Sequence, residues 1–521
     1  MSTSTNTRQS RGRACLSCHF RKKRCGGEQP TCALCAHSLL VCEYPPAPPA
    51  PERRPTGPSR IQALESRVRE LEAVLNDMAI EASQPSSPSS PPRSSLIDPH
   101  SGEVVDWLQD ILRPTLIINR RQYNLYLDTT TLKSPPRPLL HAMNLIACHI
   151  ISLSANADTH PSLQELEELK RVLLKNVHNG IHMSLENAQD LVAGVVCAPA
   201  LAAQYLLQVG KFAEAHWLSS TAIRFAVSCG LHTIVGHQWV GGDGDNSSSR
   251  GIISSEPVGT LLVPASNARE HHDRSMAWWL AFATDGMVEI VAKLPSALRP
   301  ELRVCIGDVD SELGRIRGII TPFPLMEDAY EQGVNQASLG LSISELFLGN
   351  DSEFQDPSMN SIFSMRLKSM AFVTVAGLLS DDYCVSQSFR ANLFQRIDQS
   401  ISRFIESLPS SAYHKSTHAV VSSENDDSVK SNMVLAHMLA YLAKIRLYSI
   451  SPEFSQNRLH TALLVGRLAS QLNIIPDANV ATLITRCCSE ALHIISPPGT
   501  AYDIQLPEAA SLRLLLDLLV R

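Results

Sequence analysis

From residue 101 onward, apolar side chains recur at intervals of three and four, rarely two, which aligns them along one face of an α-helix. The pattern predicts helices over 103–112, 138–153, 162–178, 186–208, 212–229, 269–291, 358–380, 389–407, 428–449, 457–472, 478–495 and 508–520. Aromatic residues are 5% of the chain, so aliphatic side chains should fill this core. The longest apolar run, around Leu191 to Ala203, is broken by Pro199 and falls short of the roughly 18 residues that span a bilayer, so no membrane partner is expected. Upstream, a narrower stripe appears: Ile61, Val68 and Leu75 at a positions alternate with Leu64, Leu71 and Met78 at d. β-Branched residues at a with leucine at d favour a parallel pair, and Arg60 with Glu65 and Arg67 with Glu72 are of opposite sign across it. Residues 60–82 therefore read as a coiled-coil dimerisation element, marginal alone because three heptads give only about 33 Å of helix.

The remaining segments lack such periodicity. Residues 1–14 read as a disordered basic arm, and 43–59 as a semi-rigid linker, with seven prolines among the fourteen residues from Pro45 to Pro58. Ser and Pro supply eleven of the thirteen residues 83–95, making 83–100 a second linker. Gly241-Gly242-Asp243-Gly244 and a serine run mark 236–267 as a disordered insertion. The body spans 101–521, and the fold class is mainly α: a small cysteine cluster, a short coiled coil and a large all-α domain.

Cys15, Cys18, Cys25 and then Cys32, Cys35, Cys42 repeat one spacing, C-x2-C-x6-C. Two tetrahedral zinc ions have eight ligand positions, which six thiolates fill if two sulfurs bridge both metals. The repeat assigns the bridges to Cys15 and Cys32, with Cys18 and Cys25 completing one zinc and Cys35 and Cys42 the other. The other cysteines, Cys148, Cys197, Cys229, Cys305, Cys384, Cys487 and Cys488, lack ligand spacing and read as buried and reduced. The polar, basic stretch Met1 to Arg13 has no apolar signal segment, which argues against a disulfide framework. Charge is uneven: residues 1–60 hold ten Lys or Arg against three Glu, a formal +7, whereas the chain totals −6. A basic tip on an acidic body suits a polyanionic partner, since neutralising phosphates releases counterions.

With Arg21-Lys22-Lys23-Arg24 before the third cysteine, this spacing resembles the fungal zinc-cluster transcription factors. The resemblance implies a Zn2Cys6 DNA-binding domain over 15–42 and two zinc ions per chain. It also implies a short helix after the second cysteine that reads CGG in the major groove of double-stranded DNA. The reader four positions after that cysteine is Lys22, helped by Arg21, with Lys23 and Arg24 on phosphates. His19 stands where the family usually has arginine, and Pro30 matches the family's loop proline. Nuclear localisation, a homodimer on paired CGG half-sites and contact with the transcription machinery follow from the same resemblance.

Further along, Arg274, Trp278, Trp279, Phe282 and Asp285 form R-x3-W-W-x2-F-x2-D, which resembles the fungal-specific regulatory domain, with Lys293-Leu294-Pro295 in place of its usual Gly-Arg-Pro. The tryptophans read as core rather than ligand contacts. Tyr205 to Ala215 reads as the corner of a lone helical hairpin. Glu270-His271-His272-Asp273 reads as a solvated helix start, Glu424 to Asp427 as a loop, and Leu512 to Val520 as core. No Gly-x-Ser-x-Gly elbow, phosphate loop or His-Glu-x-x-His helix is present, so an enzyme is not expected. The expected function is a transcription regulator of RNA polymerase II genes, an activator of metabolic or secondary-metabolite genes. Two alternatives stay open: a receptor for a small-molecule effector, and an adaptor whose zinc module binds no DNA.

Overall fold

The computed structural model describes residues 14–23, 25–28, 30–44, 136–154, 162–188, 190–234, 261–263, 265, 268–307, 318–324, 341–347, 362–381, 387–409, 423–472, 478–496 and 507–520. The helix expected over 103–112, the heptad seam 60–82, nearly all of the arm and both linkers, and most of the 236–267 insertion lie outside these residues. The chain divides into two units, Met1–Pro92 and Arg93–Arg521.

In the first unit, α1 (Leu16–Phe20) and α2 (Ala33–His37) each begin after a cysteine in extended conformation, Cys15 at φ −63° and ψ 154° and Cys32 at φ −70° and ψ 151°. Each helix ends in the same turn. Lys22 and Leu39, equivalent in the repeat, adopt left-handed φ of 48° and 52°. The next amides return to the helix: Lys23 N–H donates to Cys18 O at 3.1 Å and Leu40 N–H to Cys35 O at 3.0 Å. The pseudo-twofold symmetry in the cysteine spacing thus extends to the backbone.

The second unit is built of helices, and no strand occurs among its described residues. In chain order they are α3 (Arg137–Ser154), α4 (Leu163–Asn187), α5 (Ala198–Gln208) led in by a π-helical stretch (Val192–Cys197), α6 (Phe212–Ser228), α7 (Ala268–Ala292), α8 (Arg299–Gly307), α9 (Ile343–Leu346), α10 (Ile362–Asp381), α11 (Gln387–Ser407), α12 (Ser423–Tyr448), α13 (Ser455–Ala469), α14 (Ala478–Ile495) and α15 (Pro507–Val520). One apolar core runs through them, from Leu139 on α3 to Leu515 on α15. At its centre α10 lies along α12. The stretch Ile362–Ser380 within α10 has a mean hydropathy of 1.5 and is long enough to cross a bilayer, yet 89% of it is buried inside the protein. The sequence reading overlooked this run because Arg366 and Lys368 interrupt it; Lys368 is buried with its Nζ 5.6 Å from the Phe323 ring centre.

The hairpin corner at Tyr205–Ala215 is present. Lys211 N–H donates to Leu206 O at 2.9 Å and Gly210 N–H to Leu207 O at 3.2 Å, a Schellman end that needs the φ of 76° at Gly210. The paired tryptophans are core: both are fully buried, and Trp279 stacks on Phe323 at 4.5 Å while its Nε1 donates to Pro322 O at 2.8 Å. Asp285 is buried too, accepting from Ser296 Oγ at 2.5 Å and Ala297 N–H at 3.3 Å, so it anchors the chain after α7. Cys148, Cys197, Cys229, Cys305, Cys487 and Cys488 are buried and free, and Cys384 lies outside the described residues.

Several boundaries differ from the sequence reading. α4 runs on to Asn187 instead of stopping at 178, and the next helix starts only after left-handed residues at Ala188 and Asp190. Gly180 is where α4 meets α3: a Cβ there would lie 2.6 Å from Pro138 Cγ. The helices α8 and α9 were not anticipated. The latter is a single turn held by a capping box between Ser342 and Glu345. Glu424 to Asp427, expected as a loop, form the first turn of α12, where acids suit the helix N-terminus. The Glu270–Asp273 helix start is semi-buried rather than solvated, with His271 only 8% exposed.

Candidate metal centre and cationic edge

The thiols of Cys15, Cys18, Cys32 and Cys35 are buried and lie within 4.8 Å of one another. Their separations are 3.8 Å for Cys15–Cys32, 3.6 Å for Cys15–Cys35, 3.7 Å for Cys18–Cys32 and 3.9 Å for Cys18–Cys35. A tetrahedron with Zn–S bonds of about 2.3 Å has edges of about 3.8 Å, so the three gaps that involve Cys15 or Cys32 fit sulfurs sharing a metal ion. They are far too long for S–S bonds of about 2.05 Å, and all six cysteines are free. Cys25 and Cys42 pack against this group, half-buried. Cys42 Sγ accepts from Cys32 N–H at 3.3 Å.

The electrostatics repeat between halves at the first two cysteines but not at the third. The Cys18 amide beside Cys15 holds that thiol below its usual pKa, and the Cys35 amide does the same for Cys32. Cys25 is lowered by the Cys15 amide. Burial pushes Cys18 up, and Cys35 up to about 12. At Cys42 the Cys32 amide pulls down, but burial and the neighbouring thiols carry it upward. Six sulfurs this close cannot all ionise by themselves; divalent cations among them would remove that conflict, and six thiolates with two zinc ions sum to −2.

Cross-links that the sequence reading missed close the module. Leu16 N–H donates to Glu43 O at 2.8 Å and Ser17 Oγ to Val41 O at 2.6 Å, tying α1 to the end of the second half. Glu28 Oε2 accepts from Ala33 N–H at 3.0 Å and caps α2. Tyr44 Oη donates to Glu28 O at 2.9 Å and sits 3.7 Å from Cys25 Sγ. An acid five residues before a helix and a tyrosine just past the last cysteine carry no recognisable spacing, which is why they went unnoticed.

The basic residues were expected on the helix and loop that follow Cys18, and the described ones fall in the loop. α1 contains Cys18 and ends at Phe20; Arg21 is its C-cap, Lys22 takes the left-handed turn and Lys23 follows, all three exposed. Arg24 lies outside the described residues. Cations at a helix C-terminus offset its carbonyl dipoles, so the placement has a local electrostatic cause as well. His19 and Pro30 are exposed. In the other half the equivalents of Arg21, Lys22 and Lys23 are Ser38, Leu39 and Leu40, so the cationic edge belongs to the first half alone.

Residues 13–51 match the fungal Zn(2)-Cys(6) binuclear cluster domain. Over 56 residues the chain is 45% identical to the citrinin biosynthesis transcriptional activator mrl3 of Monascus ruber and to the citrinin biosynthesis transcriptional activator ctnR of Monascus purpureus. These matches cover 11% of this chain and 10% and 9% of those proteins, so the chain spans about a tenth of the length of the curated relatives it matches. No solved structure matches the chain. Its N-terminal segment is thus a Zn(2)-Cys(6) domain, a module that binds two zinc ions.

Proposed function

We propose that this chain is a nuclear, sequence-specific regulator of RNA polymerase II transcription that reads CGG-type half-sites through its zinc cluster. The observation that carries the reading is the exposed Arg21-Lys22-Lys23 edge, bonded through Lys23 N–H to the carbonyl of Cys18. Six thiolates that hold metal hold this turn as well, so its cations are presented in one geometry. Lys22, helped by Arg21, donates to guanine O6 and N7, while Lys23 and Arg24 neutralise phosphates and set register. Cys15 and Cys32 bridge the two ions. The heptad residues Ile61, Leu64, Val68, Leu71, Leu75 and Met78 pair two chains, so half-site separation is set by the linker.

The similarity of residues around the cluster to two activators of citrinin biosynthesis supports an activator, and secondary-metabolite genes as its targets. The body, by its R-x3-W-W-x2-F-x2-D signature, is a fungal-specific regulatory domain that controls this output. The test is affinity for a CGG duplex at one fixed salt concentration. Lys22→Ala should cost about 1–3 kcal/mol and relax discrimination at the triplet, whereas Lys23→Ala should weaken all sequences alike and flatten the salt dependence. Unchanged CGG affinity in Lys22→Ala would favour the adaptor reading, in which the cluster only folds the N-terminus.

A further inference from the structure

Between α7, α10, α12, α13 and α14 lie two adjoining cavities of about 420 and 500 Å³ that share Lys293, Arg446 and Glu490. Around them stand five cations, Lys293, Arg299, Arg446, Arg458 and Arg486, against two carboxylates, Glu289 and Glu490. This excess of positive charge sits in a chain whose formal net charge is −6. Helix-end electrostatics do not account for it. Arg446 and Lys293 lie at helix C-termini, but Arg299 and Arg458 lie in the first turns of α8 and α13, where the dipole favours acids.

The internal pairing is incomplete. One oxygen of Glu490 serves both Arg486, at 2.9 Å, and Arg446, at 3.5 Å, while Arg446 reaches Glu289 only at 3.9 Å. Lys293 is exposed, and among the described residues neither it nor Arg458 makes an ion pair. The side chain of Glu289 is 6% exposed and lines the smaller cavity, and its Oε2 has no hydrogen-bond partner among the described residues. The Nε atoms of Arg458 and Arg486 are buried without partners too. Unsatisfied, the two guanidinium N–H groups cost stability, and an anion's oxygens can complete them; the Glu289 oxygen, an acceptor when ionised, gains nothing from an anion. Gly377 keeps the space open, since a Cβ there would sit 3.0 Å from Glu289 Oε1 and 3.6 Å from Arg446 Nη1. Leu294, Pro295, Ile445 and Ile494 add apolar wall.

We propose that this cleft is a binding site for a small organic oxyanion, a carboxylate- or phosphate-bearing metabolite, held by Lys293, Arg458 and the Arg446–Arg486 pair. Guanidinium forks suit both anions, and the apolar wall takes the carbon skeleton. Its meaning as an effector site rests on the transcription reading; binding itself does not. The experiment is thermal melting of the full zinc-loaded chain with malate, with glucose 6-phosphate, and with chloride at matched ionic strength, beside the double variant Lys293→Gln/Arg458→Gln. Both substituted positions are at or near the surface, so the variant should melt close to the parent without ligand. A saturable rise with malate or glucose 6-phosphate but not chloride is expected, and the responding arm identifies the anion. The double variant should raise the half-saturating concentration at least about tenfold. No saturable rise in either arm, or a rise that the double variant retains, overturns the proposal. Since no DNA enters the assay, failure of the transcription reading leaves this result standing.

Discussion

Lys22 shows how much of this protein is decided at single residues. A non-glycine side chain at a φ of 48° carries strain, and the turn is retained because Lys23 N–H and the cluster hold it. Nothing in the letters Arg21-Lys22-Lys23 announces a left-handed turn, so the expected helix and loop after Cys18 left its place undefined. The cysteine spacing, by contrast, was legible down to the pseudo-twofold backbone, because metal geometry leaves few solutions. If Cys15 and Cys32 are the shared ligands, Cys15→Ser should lose both zinc ions, while Cys25→Ser should keep about one, read as metal per chain by elemental analysis. Glu289 offers an independent check. Burial raises its pKa from 4.5 to about 7, opposed by Arg446 and Arg299 and aided by Asp285. The folded state therefore holds a proton that the unfolded state releases, so stability falls as pH rises between these values. Relative to the parent, Glu289→Gln should gain stability across that window in denaturant titrations, with no change in the difference above it.

Among the elements, the helices written by long apolar repeats were placed well; the misplacements occurred where tertiary contact overrode local signals. Gly180 is the clearest case: its missing side chain lets α4 approach Pro138 on α3, so a residue that usually ends helices continues one. Gly180→Ala should raise local helix propensity yet destabilise the body by about 1–3 kcal/mol through overpacking, measured by urea unfolding. The short α8 and α9 escaped notice because one or two turns carry too few apolar residues to show a period. Trp278 and Trp279 were recognisable as core from their type alone, whereas the partners that fix Trp279, Pro322 and Phe323, are more than forty positions away.

For the molecule as a whole, the division of labour follows from the two ways its parts are held. The described residues 14–44 have few apolar side chains to bury and depend on sulfur and metal; the second unit rests on one extended aliphatic core. Chelation should therefore unfold residues 15–42 and abolish specific DNA binding, while helical circular dichroism persists and melts at nearly the original temperature. Under the proposed reading, the acidic balance of the body leaves the basic edge as the favoured polyanion contact. The most direct measurement is an equilibrium titration of the zinc-loaded full chain against a CGG-containing duplex and the same duplex with its triplets scrambled, at one salt concentration. Loss of even one matched base pair costs about 1–3 kcal/mol, so the account predicts at least about tenfold tighter binding to the CGG duplex. Equal affinity for the two duplexes would contradict it.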